Sequence, residues 1–571
     1  MTDSPTFDIG LTMAGAVSAG AYTAGVVDFL IQALDAWHEA KQSGAPETPS
    51  HAVNLRVLSG ASAGAITAAI LATHARVAFP PVLPASNPYA PSNPLFSAWV
   101  DRIDITELLK HQDLALAARP LSMLDSTIID QIGDDILRPP PVGSPSPLRP
   151  YMAHCLRVLC TLTNATGVPY QYVSRGGQQY SESMVSHGDF MRFAVINSGT
   201  GHAEAPRTSA GWSHEYQVDV TGNASLLPLL RQCAIASAAF PLGLRPRELI
   251  RDRSDYDHRP VLIPSDDANK GSSVAYIEPR WPPNPPSHYD FVNLDGGCID
   301  NNPFELARAE LAGGIGKRND RDGTKASRAV IMIDPFPSVS SARGPQSEAD
   351  IPLLTAAFTL LGTYKDHARF NPEELALAQS DDVYSRFLIA PKRSAPGIAG
   401  AAADRENPGP WIASGALGGF SGFLSKAYRL HDYFLGRRNC QWFLRKSFSL
   451  KIENPLFDGW RNEPWAEEYF IPSSNETSRW VELPIIPLVP ALCRQEYEPD
   501  WPYNKFSPSS IEGPVASRLD ALFQRWIEGE AFVSRLARLT WAVWGRGATT
   551  KRVLGEIGKA LVAQRLLPGE P

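Results

Sequence analysis

Little in this chain belongs to a secreted, cross-linked or metal-built protein. Only six of its 571 residues are cysteine, at Cys155, Cys160, Cys233, Cys298, Cys440 and Cys493. Only Cys155 and Cys160 are close in sequence, and no second Cys or His pair follows to complete a zinc site. That density is too low for a disulfide framework and fits a reduced, cytoplasmic setting. The first residues, Met1 to Asp8, are polar and acidic, without the basic start and apolar run of a signal peptide. Positive charge is not in excess either. Lys and Arg number 53 against 60 Asp and Glu, a net charge of -7, which argues against a nucleic-acid partner. An uninterrupted membrane span is also missing. The apolar stretch Met13 to Leu34 is broken by Gly15, Gly20, Gly25 and Asp28, so it reads as a strand end, a loop and a buried helix. Any contact with a membrane is then peripheral.

What is present is an ordinary globular composition, 43% hydrophobic and 20% charged, in a chain long enough for a large core and more than one domain. Its most informative stretch is Gly60-Ala61-Ser62-Ala63-Gly64. The apolar run Val53 to Leu58 leads in as a strand, and Ala65 to Leu71 leads out as a helix. Gly-x-Ser-x-Gly at a strand-to-helix turn suits a serine whose hydroxyl must project from a sheet edge. Side chains at the two glycines would collide with so sharp a turn. The motif alone also fits a plain tight turn.

Two other stretches have the same logic. After a first strand, Phe7 to Met13, comes the small-residue loop Gly15-Ala16-Val17-Ser18-Ala19-Gly20, which opens a helix running through Trp37. Such a loop can offer backbone N–H groups to an anion, or can simply allow close packing. Much later, Phe291 to Leu294 is a short apolar strand delivering Asp295, followed by Gly296 and Gly297. A carboxylate there sits at a strand's C-terminal end, where sites in open α/β sheets lie. Between these, helices alternate with strands, and proline-rich loops cover 79–94 and 138–150. The pattern Leu226 to Ala239 is a helix whose Ser237 reads as buried packing. Arg328 to Asp334 is the last expected core strand.

In this order the segments resemble the patatin-like phospholipases. The residues that carry the resemblance are Gly15 to Gly20 with Tyr22-Thr23-Ala24-Gly25-Val26, Gly60 to Gly64, Ala236-Ser237-Ala238-Ala239-Phe240-Pro241, and Asp295-Gly296-Gly297 with Asn301-Asn302-Pro303. The resemblance implies a three-layer α/β sandwich with a mainly parallel central sheet. It also implies hydrolysis of lipid acyl esters by a Ser-Asp dyad, here Ser62 as nucleophile and Asp295 as general base. An oxyanion hole would form from the backbone of Gly15, Ala16 and Val17, with Gly20, Gly60, Gly64, Gly296 and Gly297 in support. No metal or cofactor is needed for that chemistry. One departure stands out: Ala16 and Val17 occupy positions where the family usually has glycine, and Ala19 the usual basic position. A positive φ at Ala16 or Val17 would therefore be strained.

The expected organisation is a catalytic domain over 1–340 and a helical, Gly/Ala-rich extension over 341–450, with a lid-like stretch at 395–422. A mainly helical region over 451–571 ends the chain. The expected partners are a lipid or acyl-ester substrate and a peripheral membrane surface, with no nucleic acid. The rival reading is a Ser-His-Asp esterase with His367 or His431 as base; a catalytically weak scaffold of the same fold is the other alternative.

Overall fold

The computed structural model describes residues 4–84, 89–138, 148–172, 182–196, 215–220, 226–257, 259–263, 273–336, 363, 367–368, 377, 380, 382–393, 410–472, 481–494, 496–527 and 541–569. Much of the extension expected over 341–450 falls outside them, including 395–409 of the lid-like stretch.

Strand β1 (Thr6–Met13) is buried from Phe7 onward apart from the half-buried Asp8. Its near-continuous apolar run follows from its place: parallel neighbours on both edges and protein on both faces. The main sheet runs β11 (Arg386–Ile389), β10 (Arg328–Ile333), β1, β2 (Ala52–Gly60), β3 (Met152–Tyr172), β4 (Glu182–Ile196), β5 (Tyr216–Asp219). From β11 to β3 every pairing is parallel, whereas β4 runs antiparallel to β3. Strand β9 (His288–Asp295) joins β3 antiparallel and carries β6 (Arg247–Asp252) on its other side, while β7 (Arg259–Ile263) and β8 (Ser273–Ile277) pair antiparallel in a separate two-stranded sheet.

Neighbouring residues of one strand serve different layers, as a two-residue period requires. Val57 faces a cluster with Phe304, Ala307 and Leu311 of helix α5 (Phe304–Leu311). Leu58 faces the larger core, with α1 (Gly20–Gln42), α2 (Ala63–Thr73) and α4 (Leu227–Ser237). Helix α3 (Thr127–Ile136) closes over α4 with Ile128, Ile132 and Ile136 buried on one face. The result is the expected three-layer α/β sandwich.

Two features depart from the expectations. Arg328–Ile333 is not the last core strand, because β11 pairs parallel with it, Val330 opposite Arg386. The boundary drawn at 340 therefore falls within the chain path of one sheet. The later chain is also seated on the layers of this sandwich. Helix α6 (Lys426–Lys446) crosses α1 at two glycines: a Cβ on Gly25 would stand 1.9 Å from the Tyr433 carbonyl oxygen, and one on Gly436 2.2 Å from that of Tyr22. Only hydrogen side chains let two helices approach so closely. Beside this seam Asp28 accepts from Asn93 Nδ2 at 2.7 Å and pairs with Arg437, both members fully buried. Helices α7 (Glu512–Trp526) and α8 (Arg546–Ala563) complete the C-terminal part, with Arg518 forked onto Asp113 at 2.6 and 2.8 Å. Helix α1 is long and apolar enough to cross a membrane, yet 89% of its apolar window is buried inside the protein.

His51 ties the start of β2 to the C-terminal part. Its Nδ1 accepts from the Trp460 indole at 3.0 Å, so its Nε2–H donates to the Ile485 carbonyl at 2.9 Å. Burial pulls its pKa down to about 3, against the opposing pull of the Ile485 carbonyl. Between pH 3 and 6.5 the unfolded state binds this proton and the folded state does not. Stability from His51 is thus complete above pH 6.5 and is lost as pH falls, by about 1.4 kcal/mol per unit. Urea unfolding at pH 7 and pH 5 should differ by about 2 kcal/mol more in the wild type than in His51→Gln. Equal pH dependence would show that the ring is protonated in the folded protein.

Candidate active site

The three chemistry-bearing stretches converge through sheet register. Gly60, the last residue of β2, pairs with Met13 of β1 on one side and Cys160 of β3 on the other. Two residues further along β3, Leu162 pairs with Asp295, so β9 ends beside the turn that follows β2. Residues 233 apart in sequence meet there: Ser62 Oγ–H donates to Asp295 Oδ2 at 2.7 Å. The other carboxylate oxygen accepts the Gly297 N–H at 2.7 Å, which fixes the carboxylate's orientation. The peptide of Asp295 is held as well, its N–H on the Ala239 carbonyl at 2.9 Å and its carbonyl accepting Thr163 Oγ1 at 2.8 Å.

The serine turn is strained and has no room to relax. Ser62 has φ of 52°, in the left-handed region that a side-chain-bearing residue rarely enters. A Cβ at Gly60 would lie 2.4 Å from the Gly64 carbonyl carbon, and one at Gly64 2.0 Å from the Met13 carbonyl oxygen. Both glycines are therefore steric requirements, as the motif implied. Helix α2 begins immediately after Ser62, so its positive end lies at the same point.

Facing Ser62 is the 15–19 loop. Gly15 lies against Ser62: a Cβ there would stand 3.2 Å from Ser62 Cβ and 2.4 Å from Asn301 Oδ1. The Gly15 N–H donates to the Asn301 carbonyl at 3.1 Å, so it is not the free donor expected of it. Among the described residues no acceptor takes the N–H of Ala16 or Val17. The question raised by the missing glycines has a definite answer. Ala16 stays at φ -144°, but Val17 takes φ of 48°. A β-branched residue there stores about 1–3 kcal/mol, held by the packing around it.

That packing comes from the C-terminal half. Ser18 Oγ donates to the Gly419 carbonyl and accepts the Gly422 N–H at 3.0 Å. Gly419 has φ of 101°, and a Cβ on it would press Val17 Cβ at 3.3 Å. Phe420 meets Phe240 edge to face with centroids 5.2 Å apart. The described part of the lid-like stretch, 410–422, is thus a buried cover over the loop. Asp432 holds it by accepting the N–H groups of Ala413 and Ser414 at 2.8 and 2.9 Å.

His431 belongs to this support: its Nδ1 meets Asp432 Oδ1 at 2.8 Å and its ring abuts Trp501. His367 is exposed. The Ser62 hydroxyl is turned to Asp295 rather than to either histidine. Ser237, expected as packing, is buried and also makes a specific contact, since its Oγ accepts the Ser62 N–H at 2.9 Å. Asn301 was also missed as an individual; it clasps Gly15 from both sides, its Nδ2 donating to the Gly15 carbonyl at 3.3 Å. Both lie inside segments already singled out, but nothing in one sequence distinguishes a hydroxyl aimed at a peptide from one that merely fills space.

Known proteins share this arrangement of segments. Residues 11–308 match the family described as patatin-like phospholipase, a span holding the 15–19 loop, Ser62, Ser237, Asp295 and Asn301. The chain belongs to the patatin-like phospholipase family. It is also similar to an uncharacterized protein, y4iI, of Sinorhizobium fredii (strain NBRC 101917 / NGR234), with 35% identity over 563 residues, covering 94% of this chain and 78% of the relative. The patatin-like match stops before β10, β11 and α6, the elements that complete the sheet and cover the loop. Lipid acyl hydrolysis is the activity class of the family.

Proposed function

We propose that the protein is a serine carboxylic-ester hydrolase acting on lipid acyl esters, with Ser62 as nucleophile and Asp295 as its only base. The observation that carries this reading is the 2.7 Å hydrogen bond between Ser62 Oγ and Asp295 Oδ2 at the end of a strained strand-to-helix turn. Ser62 Oγ attacks the ester carbonyl carbon while its proton passes to Asp295. The tetrahedral oxyanion is met by the N–H groups of Ala16 and Val17. Collapse expels the alcohol, which takes the proton back from Asp295, and water then repeats the cycle on the acyl-enzyme. A fluorophosphonate probe should label the wild-type protein and leave Ser62→Ala unlabelled. Labelling that persists in the variant would remove Ser62 from the mechanism.

Because the donors are backbone groups, the Val17 side chain is dispensable in this scheme. Val17→Gly loses an unfavourable φ and some packing, which roughly cancel at about 1 kcal/mol each. Its kcat/KM should stay within about tenfold of wild type. A hundredfold loss would mean that the isopropyl group itself contacts substrate.

A wholly apolar crevice supports an acyl chain as the bound group. Ile66 and Ile70 stand four and eight residues after Ser62, on one face of α2, opposite Trp99, Ile103, Ile132 and Ile235. It reaches roughly 12 Å from the nucleophile along the helix. Its volume is only about 30 Å³, so an entering chain must part α3 from α2. Ile70→Trp should lower activity on palmitoyl esters at least about tenfold while butyryl esters are still cleaved. Equal loss on both would place the chain elsewhere. Leu116, Leu121, Met123 and Leu242 are exposed, and the Met123 N–H bonds the Leu242 carbonyl at 2.7 Å. This apolar surface is the face we assign to peripheral contact with lipid.

A further inference from the structure

The later chain carries a concave site unrelated to the dyad. A cavity of about 270 Å³ is lined by Lys392, Arg393, Arg438, Arg445 and Lys446 with Trp442, and by no carboxylate. In a chain of net charge -7, five cations around one cavity are not explained by composition. Arg438, Trp442 and Arg445 recur at helical spacing along α6, and Lys392 and Arg393 enter from the segment after β11.

The site is built rather than accidental. Asn439 binds the Lys392 backbone in both directions, its Oδ1 accepting the N–H at 2.9 Å and its Nδ2 donating to the carbonyl at 2.7 Å. Gln441 fixes the other wall, donating to the carbonyls of Leu492 and Arg494 at 2.9 and 2.7 Å. Both amides are almost fully buried. Three of the cations have internal partners: Arg438 pairs with Glu498 at 2.7 Å, Arg393 donates to the Pro499 carbonyl at 3.2 Å, and Arg445 donates to the Cys493 carbonyl at 3.3 Å. Arg393 Nε is nevertheless buried without an acceptor. Lys392, Arg445 and Lys446 have no carboxylate partner among the described residues. Trp442 is 49% exposed, with Lys392 Nζ 4.7 Å from its ring centroid.

We infer that this cavity binds a phosphate ester. Several converging ammonium and guanidinium groups call for more than one negative charge, and a phosphate monoester carries about 1.5 to 2 at neutral pH. Guanidinium forks match its oxygens, and the indole offers an apolar face to the organic part of the ester. The phosphate can come from an anionic lipid headgroup or from a small soluble organophosphate.

The test uses the full chain and reads binding alone, so it stands whether or not Ser62 is the nucleophile. Cosedimentation with phosphatidylcholine vesicles, with and without phosphatidic acid, is the lipid arm. Calorimetric titration with glycerol 3-phosphate and phenyl phosphate is the soluble arm. The variant is Lys392→Gln/Arg445→Gln/Lys446→Gln. A control with the same charge change is Lys551→Gln/Arg552→Gln/Lys559→Gln, all exposed on α8. The expected result is binding in at least one arm that weakens at least about tenfold in the first triple variant, stays at wild-type strength in the control and falls with added salt. Binding confined to phosphatidic acid vesicles assigns a lipid headgroup, and binding of the soluble esters assigns an organophosphate. No binding in either arm, or equal loss in both triple variants, overturns the site.

Discussion

Asp295→Asn should lower kcat on a soluble acyl ester by about 10²–10⁴-fold with little change in KM, and Ser62→Ala should leave no turnover above background. The asymmetry follows from the site. Asparagine has the shape of aspartate and can still accept the Gly297 N–H and stand beside Ser62 Oγ. What it lacks is a place for the proton, so the attack step slows while the binding surface persists. Alanine at 62 removes the attacking atom, and no neighbouring group replaces it. His431→Ala separates this mechanism from a triad. His431 is buried against Asp432 and Trp501, so its loss should reduce stability while activity per folded molecule is retained. His367→Ala, at an exposed position, should leave both unchanged. A fall of more than about a hundredfold in either histidine variant, at wild-type stability, would return the base to a histidine.

The largest effect on stability is expected at the seam between α1 and α6. Gly25→Ala places a carbon 1.9 Å from a backbone oxygen, and Gly436→Ala places one at 2.2 Å. Neither obstacle is a side chain that could swing away, so the helices must separate. Separation also strains the buried Asp28–Arg437 pair, whose exposure to a mismatched partner is costly. Each variant should lose about 3 kcal/mol or more in urea unfolding. Gly555→Ala supplies the contrast. Its Cβ would meet nothing, and it lies inside α8, so alanine there should stabilise by about 0.5–1 kcal/mol. Wild-type stability in Gly25→Ala would mean that α6 does not seat on α1 in this way. Activity should fall with stability at the seam, because α1 begins where the 15–19 loop ends and the α6 side supplies the contacts to Ser18 and Val17.

The site and the C-terminal half differ in how much of each is visible in the sequence. Local steric rules announce themselves. Glycines flanking Ser62 and glycines after Asp295 mark turns that no other residue can make, and the apolar runs before them mark buried strands. From these the α/β class was legible, together with the strand ends that carry Ser62 and Asp295; the three layers and the pairing of the two residues were implied by the resemblance to the patatin-like family. The strain at Val17 was legible as a condition, since valine is poor at positive φ; whether position 16 or 17 would carry it depended on how Gly419 and Ser18 press the loop from outside.

What one sequence could not provide was the identity of partners far along the chain. Gly25 was visible as a small residue permitting close approach, but the thing that approaches is a helix more than 400 residues later. Strand β11 has only four residues, too short for a periodicity to mark it, and it is a strand because β10 offers an open parallel edge. Ser237 looked like packing because a buried hydroxyl has the same composition whether it fills a gap or accepts the Ser62 N–H. The turns and the buried strands could be read from the chain alone, because they rest on backbone sterics within a few residues. Tertiary structure alone decided which backbone amides stay free, what covers them and where five cations gather, because burial and register are properties of segments brought together, not of any one of them.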